Sequence, residues 1–204
     1  MKIVVFKGGL GNQLFQYAFY KYLSRKDETF YFYNDAWYNV SHNGFELDKY
    51  FKTDDLKKCS RFWIILFKTI LSKLYHWKIY VVGSVEYQYL VIFGNICTQK
   101  YYHDAIRIIT EKVNDAVFYV FSDDISWVQT HLDIPNAVYV NWNTGESSIY
   151  DMYLMSSCKY NIIANSTFSY WAARLNKKTN MVIYPSKWYN TFTPDIFPES
   201  WCGI

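Results

Sequence analysis

The chain is poor in the residues that staple small secreted or metal-bound folds. Its four cysteines, Cys59, Cys97, Cys158 and Cys202, lie far apart and form no Cys-x-x-Cys pair near histidines. They predict neither a zinc site nor a disulfide framework, which fits a reducing cytoplasm. No apolar run approaches the ~18 residues of a membrane span. The N-terminus enters a strand directly, without the charged region, apolar region and cleavage site of a secretory leader. A soluble cytoplasmic protein is the expectation. A net charge of +3 is too mild to argue for nucleic acid, although a basic balance suits an anionic substrate. Arginine is scarce, with Arg25, Arg61, Arg107 and Arg174 scattered along the chain.

What the sequence does hold is globular. Of 204 residues, 51% are hydrophobic and 19% charged, enough to bury a core as one large domain or two small ones. Aromatics reach 22%, with 21 Tyr and 8 Trp. Such rings can stack on sugars, or they follow a general drift of the composition.

Two stretches carry most of the chemistry. The first follows the strand Lys2 to Phe6 and reads Lys7-Gly8-Gly9-Leu10-Gly11-Asn12-Gln13-Leu14. A helical pattern then runs through Leu14, Phe15, Ala18, Phe19, Tyr22 and Leu23. Gly8, Gly9 and Gly11 allow a tight turn and close approach to a ligand. The dinucleotide fingerprint Gly-x-Gly-x-x-Gly is not met, because Leu14 stands in its third glycine position. The second stretch is Tyr160-Asn161-Ile162-Ile163-Ala164-Asn165-Ser166-Thr167-Phe168-Ser169-Tyr170-Trp171. Four residues of buried-strand character run into a hydroxyl-rich turn, and Phe168, Trp171, Ala172 and Leu175 then recur at helical spacing. Backbone N–H groups at such a helix start, with the Ser166, Thr167 and Ser169 hydroxyls, suit a phosphate or diphosphate. The same residues also make an ordinary helix cap. The Asn165-Ser166-Thr167 triplet fits a glycosylation acceptor too, but nothing suggests secretion.

Together these strings resemble the N-terminal and C-terminal motifs of glycosyltransferase family 11, the alpha-1,2-fucosyltransferases, with Met155 to Lys159 leading into the second. Gly44 to Phe51 and Phe121-Ser122-Asp123-Asp124 resemble further family segments. The resemblance implies an inverting, metal-independent enzyme that transfers fucose from GDP-fucose to the 2-hydroxyl of a galactose-terminated glycan. No cofactor is implied beyond the donor substrate. It also implies a GT-B-like α/β fold, with a Rossmann-type parallel sheet in the GDP-fucose half, residues 91–204. A reduced α/β half, residues 1–90, carries the glycine loop on the acceptor side.

The carried-over site is expected to use Asn165, Ser166, Thr167, Phe168 and Ser169 for the diphosphate. Asp123 or Asp124 would bind the guanine; alternatively Asp123 caps the helix starting near Ile125. Gly8, Gly9 and Gly11 line the donor cleft, with Asn12 near the reacting carbon. The proton-accepting base is not identified, and Asp35 and Glu86 are guesses. His42, His76, His103 and His131 are isolated and do not look catalytic.

One departure stands out. The family's His-x-Arg-Arg-Gly-Asp motif is replaced by Gly83-Ser84-Val85-Glu86-Tyr87-Gln88-Tyr89-Leu90, without histidine or arginine. A guanidinium there would meet the phosphates as they gain charge. Losing one well-placed donor typically costs ~10² to 10³ in rate. A shortened relative that only binds nucleotide or glycan is therefore the alternative function. The apolar stretch from Arg61 to Leu71, flanked by Lys57, Lys58, Lys73 and Lys78, reads either as a buried helix or as peripheral contact of residues 57–78 with the inner membrane face. From Thr98 onward, helical stripes (Tyr101, Tyr102, Ala105, Ile106, Ile109, Val113; Asp124 to Thr130; Ser148 to Lys159) alternate with strands at Ala116 to Phe121, Ala137 to Asn141 and Met181 to Tyr184. That alternation predicts a parallel sheet wrapped on both faces, with ligands at the carboxyl ends of its strands.

Overall fold

Every strand pairing among the described residues is parallel. The structure, a computed structural model, describes residues 2–33, 43–62, 64–65, 97–190 and 192–204. It divides into two units, Met1–Glu86 and Tyr87–Ile204. Each is taken by itself.

In the first unit, β1 (Lys2–Phe6) and β2 (Thr29–Tyr33) pair from Lys2↔Thr29 to Phe6↔Tyr33, joined by the crossover helix α1 (Leu10–Ser24). The far edge of β2 is met by a single bridge, where Tyr31 N donates to the Lys57 carbonyl and Cys59 N to the Tyr31 carbonyl. The short helix α2 (Leu47–Tyr50) follows the Gly44 turn. The buried face of α1 is not the aromatic stripe expected from the sequence. Leu10, Gly11, Gln13, Leu14 and Tyr20 are buried, whereas Phe19 and Tyr22 are 36% and 54% exposed. The two described strands cover only a narrow side of a 15-residue helix, so the outer aromatics stay out. Of residues 57–78, only 57–62 and 64–65 are described. The membrane-contact reading therefore lies mostly outside the described residues, among which no helix is long and apolar enough to cross a membrane.

The second unit runs α3 (Gln99–Thr110), β3 (Phe118–Phe121), α4 (Ile125–His131), β4 (Ala137–Val140), a 3-10 turn (Gly145–Ser147), α5 (Ser148–Met155), β5 (Tyr160–Ile162), α6 (Thr167–Leu175), β6 (Met181–Tyr184) and β7 (Cys202–Gly203). The expected α/β alternation is present, but the strands form two parallel sheets, β3-β4 and β5-β6-β7. A largely apolar cavity of about 540 Å³ separates β3 from β5, and both strands line it. Among the described residues β3 pairs only with β4, and β5 only with β6, so each strand lining the cavity is an end strand of its own sheet. Parallel α/β sheets take ligands at the carboxyl ends of their strands.

Local sequence explains most of these elements. Tyr101, Ala105, Ile106 and Ile109 make the predicted stripe of α3, and Tyr101, Ala105 and Ile109 pack with Ile183 of β6. The Tyr101 hydroxyl donates to the Ile163 carbonyl at 2.6 Å, with the Ile183 carbonyl at 3.3 Å. The stretch Ala116 to Phe121, expected to be a buried strand, is half-exposed: Val117, just before β3, and Tyr119 within it are 53% and 55% accessible, because alternate side chains of an extended chain point to opposite faces. The two-residue β7 was not anticipated. It pairs Cys202 with Ile183 and Gly203 with Tyr184, and a Cβ at Gly203 would press on the Tyr184 ring at 3.0 Å.

Many of the aromatics have a structural role. Tyr170 of α6 packs edge-on against Trp171, Trp188 and Phe197, while Phe197 stacks on Tyr184 at 4.0 Å. This cluster fixes α6 on the C-terminal segment, and with it the turn that precedes the helix.

Candidate functional site

Two loops converge on the β3–β5 cavity at the carboxyl ends of the strands. Ser122 enters from β3, and Ala164 and Ser169 from the β5–α6 turn. The turn is held on three sides. Asn165 Nδ2 donates to the Trp188 carbonyl at 3.5 Å, and its Oδ1 accepts from the Cys97 thiol at 3.5 Å. Burial pushes that thiol's pKa up, with Asn165 and Tyr102 pulling the other way. Below the turn, Asn161 Nδ2 donates to the Met155 carbonyl at 2.7 Å and its Oδ1 accepts from Asn176 Nδ2 at 2.9 Å. A buried amide pair therefore ties β5 to the ends of α5 and α6.

The hydroxyls of the turn are partly committed. Ser166 is the N-cap of α6, its Oγ accepting from Phe168 N at 3.2 Å, so the capping reading holds for this residue. Ser169 Oγ donates towards the Ala164 and Ser166 carbonyls at 3.3 and 3.2 Å. Thr167 and Phe168 form the first turn, where helix N–H groups lack intrahelical acceptors and an anion is favoured.

In the Ser122-Asp123-Asp124 segment the structure separates the two acids. Asp124, not Asp123, caps α4: its Oδ1 accepts from Trp127 N at 2.9 Å, and Ser122 Oγ accepts from Asp124 N at 3.0 Å. Asp123 is exposed and has no hydrogen-bond partner among the described residues. Beyond β4, Asn143 Nδ2 donates to Asp151 Oδ1 at 2.6 Å. Burial raises the pKa of the Asp151 carboxyl, partly offset by Asn143.

The glycine loop belongs to the first unit. Gly8 has φ +76°, and a Cβ there would stand 2.6 Å from Asn12 Nδ2. Gly9 is the N-cap of α1 and supplies no side chain, so the first turn is left uncapped by side chains. Gly11 is buried. Asn12 is half-buried under Gly8, with no hydrogen bond to any described residue. Its neighbour Gln13 is fully committed. The fully buried Gln13 amide donates to the Gly8 and Gly44 carbonyls at 2.8 Å each, and accepts from Glu46 N at 2.9 Å and Leu47 N at 3.2 Å. Sequence reasoning missed Gln13, which locks the glycine loop to the 44–47 turn. Its one sequence signal was an amide on the Leu10–Leu14 side of the helix.

Asp35, Glu86, His42, His76 and the segment that replaces the arginine motif lie outside the described residues. His131 stacks on Trp127 at 4.5 Å and its Nδ1 lies 2.8 Å from the Trp127 carbonyl, a packing role. Among the described residues no three His, Cys, Asp or Glu side chains come together as a metal cluster.

Residues 84–204, more than half of the chain, match the family described as Glycosyl transferase family 11. An alpha-1,2-colitosyltransferase of Escherichia coli is 41% identical over 134 residues, covering 60% of this chain and 43% of its own length. The O-antigen biosynthesis glycosyltransferase WbnK of Escherichia coli is 44% identical over 99 residues, covering 48% of this chain and 33% of its own. The chain thus spans less than half the length of either relative. No solved structure matches.

Proposed function

This chain belongs to glycosyl transferase family 11, and from that premise we propose that it moves fucose from GDP-fucose to the 2-hydroxyl of a galactoside, with inversion and without a bound metal. The acceptor oxygen attacks the anomeric carbon opposite the diphosphate. The carbon–oxygen bond to GDP breaks, its electron pair leaves on the β-phosphate, and the hydroxyl proton passes to a base. The fold we assign is GT-B-like. Asn165, Ser166, Thr167, Phe168 and Ser169 hold the diphosphate, and the Ser122–Asp124 loop holds the guanine. Gly8, Gly9 and Gly11 bring the backbone close to the donor, with Asn12 at the reacting carbon.

The observation that carries the reading is a shared cavity. Ser122 and Ser169, from two sequence-distant loops, both line one cavity of about 540 Å³ that is also lined by β3 and β5. The uncommitted Asn12 amide beside the fully committed Gln13 supports a ligand-facing role for the former. The name of the colitosyltransferase relative makes a colitosyl donor the competing substrate. The absent arginine motif favours one second reading, a relative that binds nucleotide or glycan without transfer.

A thermal-shift comparison of GDP, GDP-fucose and NAD, followed by measurement of GDP release with lactose present, separates these. Stabilisation by GDP and GDP-fucose with GDP release supports transfer. Binding without release supports the second reading. Stabilisation by NAD alone overturns both.

A further inference from the structure

The cavity between β3 and β5 meets both strands edge-on. A pocket over one face of a strand touches alternate side chains, because successive residues point to opposite faces. Here the lining takes in two unbroken runs, residues 115–122 and 158–164. Both strands therefore turn an edge, with its ladder N–H and C=O groups, towards the same space. Among the described residues neither edge has a partner, since β3 pairs only with β4 and β5 only with β6. Asp115 and Lys159 stand at the amino ends of the two edges, Ser122 and Ala164 at the carboxyl ends. Much of the remaining lining is apolar, from Ile106 and Ile109 of α3, Val128 of α4 and Leu132 just after it. Two unpaired edges on one apolar slot are a template for an added strand.

We propose that this slot accepts an extended apolar strand from a separate polypeptide, paired parallel to both β3 and β5, which joins the two sheets into one. The site specifies the chemistry of that partner. Parallel strands covered on both faces are continuous runs of Val, Ile and Leu rather than alternating polar and apolar residues, and a proline inside the run would forfeit a ladder bond. Main-chain pairing on two edges supplies the affinity, and side-chain fit the specificity. Every described strand of this unit is already paired within its sheet, and a second copy of the chain offers only the same paired strands. A source outside the chain is favoured by length: the stretches shared with the two relatives are 43% and 33% of those proteins. An added strand of about five residues leaves the carboxyl end of the slot, where Ser122 and Ser169 stand, open to the donor. The strand pairs with these edges whatever sugar the donor carries, so the partner is independent of the transfer reading.

Peptide binding and photo-crosslinking on the full wild-type chain test this. The probe is a peptide with a run of about five Val and Ile residues between flanking lysines, carrying benzophenone at its amino or its carboxyl end. Its control has the same side chains but alternate backbone nitrogens methylated, which removes ladder donors and keeps the apolar surface. Fluorescence anisotropy should show saturable binding, weakened about ten-fold or more by methylation as several ladder bonds are lost. Mass spectrometry should place adducts of the amino-end label around Asp115 and Lys159, and those of the carboxyl-end label around Ser122 and Ala164. Equal binding of the methylated peptide would reduce the slot to an apolar cavity and overturn the proposal. So would adducts outside residues 115–122 and 158–164, a reversed end pattern, or no binding by a chain that circular dichroism shows to be folded. A concentration-dependent dimer that excludes the peptide would give the slot to a second copy and overturn it equally. None of these outcomes alters GDP-fucose binding, which reports on transfer separately.

Discussion

Gln13 Nε2 lies 2.8 Å from the Gly8 carbonyl and the same distance from that of Gly44, inside a side chain with no solvent exposure. One amide therefore closes the glycine loop against a turn 31 residues away. Replacing it with leucine leaves the two carbonyls and the Glu46 and Leu47 N–H groups unpaired in a buried site. Such groups cost ~1 to 3 kcal/mol each and do not add fully, so Gln13→Leu should lose on the order of 3 kcal/mol in urea unfolding. A loss below about 1 kcal/mol would show that water or a shifted turn replaces those bonds.

Gly8→Ala strikes the same loop from the other side. The left-handed backbone at φ +76° costs an L-residue ~1 to 2 kcal/mol, and the new methyl would displace the Asn12 amide from 2.6 Å away. The expected outcome is a modest stability loss, with transfer reduced far more than GDP binding. Equal loss of kcat and GDP affinity would count against the placement of Asn12 at the reacting carbon.

The sequence made the order of elements legible because strand and helix periods differ and the glycine and serine turns punctuate them. Lys2 to Phe6 and Met181 to Tyr184 appear as strands where the sequence put them. What depended on neighbours was not legible. The outer aromatics of α1 looked like core until the strand pair beneath proved too narrow to cover them. The role of Gln13 was not legible because three of its four partners are 31 to 34 residues away. The sequence reading put the helix cap on Asp123, one residue early, because helix boundaries are the least legible feature; with α4 starting at Ile125, the cap is Asp124.

Ser166→Ala separates the structural and ligand roles of the hydroxyl turn. As the N-cap of α6, Ser166 should contribute ~1 kcal/mol of stability without any ligand. Adding Ser169→Ala should weaken GDP further, since hydrogen bonds to a charged phosphate contribute ~1.5 to 3 kcal/mol each. GDP affinity unchanged in the double variant would mean that both hydroxyls serve only the helix start.

Acid should selectively loosen the first unit at Asp55. Burial alone would raise this carboxyl, but hydrogen bonds from Lys21 at 2.6 Å and Tyr17 at 2.8 Å outweigh it and depress its pKa. A depressed folded-state pKa gives stability that is present above the unfolded value of ~3.9 and lost as pH falls through the folded one. For a largely exposed pair the contribution is a few tenths to about 1 kcal/mol. Asp55→Asn should therefore be less stable than wild type in urea at pH 7, with the gap closing as pH falls through the lowered folded-state value. A gap independent of pH would assign the effect to packing. Tyr17, whose hydroxyl is pushed up to about 12 by burial and then by Asp55, gives the alkaline counterpart. Its contribution holds below ~10 and is lost as pH rises through about 12.

The central claim is that the β5–α6 turn holds the diphosphate of a GDP-sugar. Its most direct test is titration of the wild-type chain with GDP-fucose, monitored by heat of binding and by GDP release on addition of lactose. The account predicts saturable binding that GDP competes away, weakened in Ser166→Ala with Ser169→Ala, and GDP release dependent on the acceptor. Absence of GDP-fucose binding by the folded wild-type chain, or binding untouched by the double substitution, would contradict it.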